Sequence, residues 1–159
     1  MTKFNNILLA TDFGDSSALA MAAAFEIANG LGATVHALHV FTLQDNMQAE
    51  NFSQVDLAEL QQQATSKFEA LASTCDGVGR LGRVISHFGD PAALVLLTAE
   101  ELSADLIVLG SHGRQGISRL LLGSVAETVM RKARCPVLVA KSTSAPSEEI
   151  GTPTAQRIV

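Results

Sequence analysis

Short aliphatic runs alternating with helical stretches constrain this chain more than any other feature. Leu106-Ile107-Val108-Leu109 is apolar at every position, the mark of a strand covered on both faces. Ile7-Leu8-Leu9-Ala10, within Phe4–Ala10, reads as the first strand, and Val137–Ala140 as the last. Thr34–Val40 is β-branched at both ends and predicts a second strand, and Val84–Phe88 predicts a third. Helical spacing fills the intervals. Ala18, Met21, Ala22, Phe25 and Ile27 form a small-residue stripe that Ser16 and Ser17 are placed to cap and that Asn29-Gly30 and Gly32 end. Leu57, Leu60, Ala64, Phe68, Leu71 and Cys75 recur at steps of three and four, after a capping pair at Ser53 and Asp56. Asp90-Pro91 starts a third helix carrying Leu94, Val95, Thr98 and Leu102, and Ala126–Ala133 is a fourth. Five strands joined by helices imply right-handed crossovers and a parallel sheet between two helical layers. The expected class is α/β, a doubly wound five-stranded parallel sheet in a Rossmann-like three-layer sandwich.

Such sheets bind ligands at the carboxyl ends of their strands, near the point where the strand order reverses. The residues expected there are Ala10-Thr11-Asp12, Val40-Phe41, Phe88-Gly89 and Leu109-Gly110. Beyond Leu109 the chain reads Gly-Ser-His-Gly-Arg-Gln-Gly-Ile-Ser-Arg-Leu-Leu-Leu-Gly-Ser-Val, from Gly110 to Val125. A glycine-punctuated loop that leaves a buried strand and ends at a helix N-terminus suits phosphate, because backbone N–H groups converge and the helix dipole favours negative charge. Ser124 and Glu127 also have the spacing of a capping box, which would form with or without a ligand. Asp12 can read a base edge or sugar hydroxyl, or help hold a metal on phosphates. It can equally cap the next helix through an Asx turn.

Other patterns carry less. Gly77-Val78-Gly79-Arg80-Leu81-Gly82 spells Gly-x-Gly-x-x-Gly but follows a helix and leads into a strand, the reverse of a dinucleotide fingerprint, and reads as a flexible connector. No glycine precedes a lysine, so there is no Walker-type loop. His36 and His39 fall on opposite faces of one strand and read as ordinary strand residues; His112 lies in the glycine loop. Cys75 and Cys135 are too few and too far apart for a structural zinc site and read as core filling. With 47% hydrophobic and 17% charged residues the chain is globular. A net charge of −5 and the lack of Trp and Tyr argue against nucleic acid as a partner. No apolar run approaches the ~20 residues of a membrane span, and no signal pattern opens the chain, so a cytoplasmic protein without membrane contact is expected. Arg131, Lys132 and Arg134 suit a helix C-terminus, but Arg114 and Arg119 stand in the glycine loop itself.

Taken together, Ile7–Phe13, Leu106–Gly113, the spacing Gly110-x-x-Gly113-(nine residues)-Gly123-Ser124, Leu122–Glu127 and Cys135–Val139 resemble the universal stress proteins over about residues 3–141. The resemblance is to the ATP-binding branch, which carries the full glycine signature. It implies strand order 3-2-1-4-5 and a homodimer formed through the last strand, Val137–Ala140. It also implies ATP as ligand, with ADP or AMP as alternatives and Mg²⁺ accompanying the phosphates. Carried over, Asp12 and the backbone of Val40 hold the adenine, and Ala10 and Leu109 line its pocket. Gly110 meets the ribose, and Gly113, Gly123, Ser124 and Val125 surround the phosphates, with Arg114 beside them. Gly14 departs from the family, many members of which have Ser there. Residues 1–141 are expected to form one nucleotide-binding domain and 142–159 a disordered tail rich in Ser, Thr, Pro and Glu. The function implied is a regulatory stress-response module whose nucleotide occupancy changes partner contacts. The rival readings are a slow ATPase or self-phosphorylating protein, on Ser118 or Ser124, and a nucleotide-free dimer. No dedicated general base stands out, so an enzyme is the weaker reading.

Overall fold

Five parallel strands are hydrogen-bonded in the order β3-β2-β1-β4-β5. They are β1 (Asn6–Ala10), β2 (Thr34–Phe41), β3 (Leu81–Phe88), β4 (Leu106–Gly110) and β5 (Val137–Ala140). Among the described residues four helices lie between them: α1 (Asp15–Leu31), α2 (Leu57–Thr74), α3 (Pro91–Glu101) and α4 (Ser124–Lys132). The computed structural model from which these are taken describes residues 3–42, 57–111 and 122–141. The expected class and strand order are both met.

Each strand residue packs to one face or the other by its parity, as the period of two requires. Ile7, Leu9, Val35, Ala37 and Val108 face α1 and α2, where Ala20, Met21, Ala24, Phe25, Ala28, Phe68 and Ala72 close the first core. Leu8, Leu38, Ile107 and Leu109 face α3 and α4, meeting Ala92, Val95, Ala99, Ala126 and Val129. Phe25 and Phe68 are wholly buried, and each contributes roughly 1.5–3 kcal/mol by leaving water. The many alanines let α1 lie close on the sheet. Its buried stripe is Ala20, Met21, Ala24, Phe25 and Ala28, whereas Ala18 and Ala22 face solvent. The correction is a one-residue rotation, because alanine is equally tolerable inside and outside and does not mark a face.

The helix ends differ from expectation in instructive ways. Gly14, not Ser16 or Ser17, is the N-cap of α1, and it offers no side-chain cap. Gly32 ends α1 in the left-handed conformation (φ 73°), with its N–H donated to the Ala28 carbonyl, while Gly30 stays within the helix. Asp90 caps α3 as expected, its carboxylate accepting the Ala93 N–H at 2.8 Å with Pro91 in the first turn. The Ser53–Asp56 pair and the tail after Lys141 lie outside the described residues. Gly77 opens a short 3₁₀ turn (Val78–Arg80). A side chain there would begin 2.5 Å from the Phe25 ring, so the connector is packed onto the core and is not the loose link its composition suggested. At the opposite end of the sheet, Asp105 accepts the backbone N–H groups of Asn5 (2.8 Å) and Asn6 (2.9 Å), pinning β1 to β4 where both begin.

Candidate functional site at the carboxyl edge

Strands β1 and β4 are neighbours with Ala10 opposite Leu109. Past these residues their chains part. The one leaving β1 turns into α1 on the first face, and the one leaving β4 returns as α4 on the second. This is the point of order reversal at which open α/β sheets leave a crevice. Ala10, Val40 and Leu109 all contact the second core, as do Leu122 and Val125 at the start of α4. Leu109 is only 4% exposed, so it can form a floor but offers little free surface.

The turn after β1 is tightly specified. Thr11 N–H donates to the Leu38 carbonyl at 3.0 Å, and Phe13 N–H to Thr11 Oγ1 at 2.9 Å. Asp12 Oδ1 accepts the Gly14 N–H (2.8 Å) and the Ser17 hydroxyl (2.6 Å), which is the Asx-turn role weighed for it from sequence. Ser17 therefore serves Asp12 from inside the helix instead of capping it. A side chain at Gly14 would begin 3.0 Å from Asp12 Oδ1, so glycine gives the carboxylate room. Phe13 takes a left-handed backbone (φ 61°), a conformation seldom adopted by an aromatic residue and held here by its surroundings.

The turn after β4 begins with Gly110, whose close approach is to protein. A side chain there would start 2.5 Å from Ser16 Oγ and 3.0 Å from the Ser16 carbonyl carbon. Ser111 N–H donates to the Ala140 carbonyl (2.8 Å), and the Ser111 carbonyl accepts the Gly123 N–H (2.7 Å). Gly123 is the N-cap of α4 with extended backbone (φ −63°, ψ 150°). Ser124 is thus the first helical residue and not the cap, and the expected Ser124–Glu127 capping box does not form. Glu127 N–H donates to the Gly123 carbonyl (2.9 Å), while its carboxylate takes the Arg131 guanidinium at 2.7 Å. Since Gly123 has no side chain to cap with, the first N–H groups of α4 receive no bond from their own N-cap. Ser124 is exposed, and Gly123 and Val125 are half-buried.

The structure therefore gathers Ala10, Asp12, Val40, Leu109, Gly110, Gly123, Ser124 and Val125 at one edge of the sheet. Gly113 and Arg114, with His112, Ser118 and Arg119, lie outside the described residues. Among the described residues no group of three or more His, Cys, Asp or Glu side chains is placed to hold a metal ion, and no helix is long and apolar enough to cross a membrane. One participant was missed from sequence. His39 is 5% exposed, and its Nδ1 lies 2.8 Å from the Thr11 carbonyl oxygen. Parity signalled only that it faces opposite to His36. That the β1 turn would fold back over it depends on the packing of two strands.

The architecture defines a doubly wound α/β protein with a crevice at its point of order reversal, the place where such sheets hold their ligands. Comparison with known proteins gives the family. The universal stress protein family model matches residues 3–141, and the chain belongs to that family. It is 36% identical over 140 residues to Universal stress protein MJ0531 of Methanocaldococcus jannaschii, covering 87% of this chain and 82% of that one. Among solved structures it is similar to the hypothetical protein MJ0577 of the same organism, with TM-score 0.75, 29% identity, and coverage of 90% of this chain and 99% of that one. A universal stress protein solved in complex with cAMP shares the fold at TM-score 0.62 and 24% identity, covering 89% of this chain and 99% of that one.

Proposed function

We propose that this chain binds an adenine nucleotide, ATP in the first instance, across the carboxyl ends of β1 and β4. In this reading it acts as a homodimeric regulatory module whose occupancy alters its contacts with partners. The observation that carries the reading is the start of α4. A glycine N-cap leaves helix N–H groups without a bond from their own cap, beside an exposed Ser124 and one hydrogen bond from the end of β4. Helix N-termini of this kind attract phosphate through oriented N–H groups and the helix dipole. In this arrangement Asp12 and the Val40 backbone hold the base, and Ala10 and Leu109 floor its pocket. Gly110 lies at the ribose, and Gly123, Ser124 and Val125 surround the phosphates together with Gly113 and Arg114. Mg²⁺ would be held mainly by the phosphates, with Asp12 the protein group nearest in chemistry to a ligand. The solved relative that holds cAMP supports an adenine nucleotide as a ligand of this fold.

The test is direct. Protein purified without added nucleotide is denatured and the released small molecules are separated by chromatography. Protein emptied of nucleotide is then titrated with MgATP. Release of intact ATP, or saturable ATP binding, is the expected result. Recovered ADP would turn the reading toward hydrolysis, and AMP toward a different adenine ligand. A protein that is both empty and unresponsive to added ATP overturns the proposal. Gly123→Val should reduce ATP affinity at least about tenfold without unfolding the chain, since φ and ψ at Gly123 suit any residue.

A further inference from the structure

We infer that His39 is a positioning residue for the nucleotide crevice, acting through the turn that carries Asp12; the inference rests on the reading above. His39 stands on the face of β2 opposite to Val40, on the side away from the second core. Its Nδ1 is 2.8 Å from the Thr11 carbonyl. A carbonyl oxygen can only accept, so the proton of that bond sits on Nδ1. The ring is also held between two aromatics. Phe13 lies at 4.7 Å between centroids, and Phe41 meets the imidazole edge-on at 4.5 Å and 90°. Phe13 in turn packs on the fully buried Phe68 at 4.9 Å and lies under the Lys67 ammonium at 5.2 Å.

These contacts grip Thr11 by its carbonyl and Phe13 by its ring, the two residues that flank Asp12. They also account for the left-handed backbone of Phe13, which needs outside restraint to persist. With both neighbours fixed, the Asp12 carboxylate has a single placement, the one that accepts Gly14 N–H and the Ser17 hydroxyl. His39 touches no ligand in this account. It sets where Asp12 stands.

The experiment uses the full chain and two readouts. His39→Phe keeps a ring and removes the donor, whereas His39→Asn places an amide N–H where Nδ1 was. In ligand-free protein, amide exchange at Phe13 and Gly14 should quicken about tenfold in H39F, return toward wild type in H39N, and stay unchanged in the middle of β1 and β4. Unchanged exchange at Phe13 and Gly14 in H39F would overturn the inference. In ATP titrations H39F should weaken binding about tenfold, and the same change made on Asp12→Ala should add nothing further. Additive losses would overturn it equally, since they place His39 outside the action of Asp12. If H39F fails to fold, His39→Gln, whose amide reaches the Nε2 position instead, should show the same defects relative to H39N; equal behaviour of the two would refute the Nδ1 bond as the cause. A wild-type protein that binds no ATP defeats the nucleotide reading, while the exchange readout still decides whether His39 holds the turn.

Discussion

Single residues in this molecule owe their identity to neighbours that are distant in sequence. Gly110 is small because Ser16 lies against it, Gly77 because Phe25 does, and Gly82 because a side chain there would begin 2.7 Å from Thr34 and 2.9 Å from His36. None of these reasons can be read from local pattern, and Gly77 and Gly82 together imitate a dinucleotide motif by coincidence of packing. His36 shows the same dependence with a titratable group. Its Nδ1 accepts the Arg83 N–H at 3.1 Å, which requires an unprotonated nitrogen. Burial, and secondarily the Arg83 charge, holds its pKa below the ordinary histidine value of 6.5. Because the folded value lies below the unfolded one, the stability that His36 contributes is complete above about pH 6.5 and is lost as pH falls through the folded value. Thermal melts of wild type and His36→Gln at pH 7.5 and pH 5 check this. The wild type should lose more stability on acidification than the variant, and equal losses would show that His36 does not carry the dependence.

Elements were more legible than residues. The five strands and four helices of the described residues were visible as runs and periods, since aliphatic strands buried on two faces and amphipathic helices leave strong signals. Their ends were not. Asp90 was recognisable because cap and Pro91 adjoin in sequence, and Asp90→Ala should cost about 1 kcal/mol in urea denaturation, with no change in the slope of the transition. A loss under a few tenths of a kcal/mol would mean that Pro91 alone fixes the start of α3. At α1 and α4 the obvious hydroxyl caps, Ser16, Ser17 and Ser124, sit inside the helices, and glycines occupy the cap positions. Side-chain propensity favours Ser as a cap. It is overridden at α1, where a side chain on Gly14 would crowd Asp12 and where Ser17 is needed as a partner for that carboxylate. The edge of the candidate site was therefore legible as a region, with eight of its residues gathered at one end of the sheet. The way Asp12 is held, and by what, was not.

At the scale of the whole molecule the two edges of the sheet are unlike. β3 carries Arg83 and His87 among its residues, whereas β5 is Val-Leu-Val-Ala throughout, with Leu138 36% exposed. Edge strands are usually guarded by charge, proline or brevity, and β5, though short, has no charge of its own. Pairing of this edge with a second copy is the expected use, and Leu138→Lys should convert a dimer into a monomer in light scattering coupled to size exclusion. A wild type that is already monomeric at tens of micromolar would remove β5 as the dimer seam. The backbone of Ser111 gives this proposed seam a further meaning. Its N–H is given to Ala140 at the end of β5, and its carbonyl receives Gly123 at the threshold of α4. One peptide residue thus ties the outermost strand to the helix start proposed to meet phosphate. Whatever free energy passes between subunit pairing and ligand occupancy through that tie passes equally in both directions. A ligand that strengthens the pair must itself be held more tightly by the pair than by the separated chain.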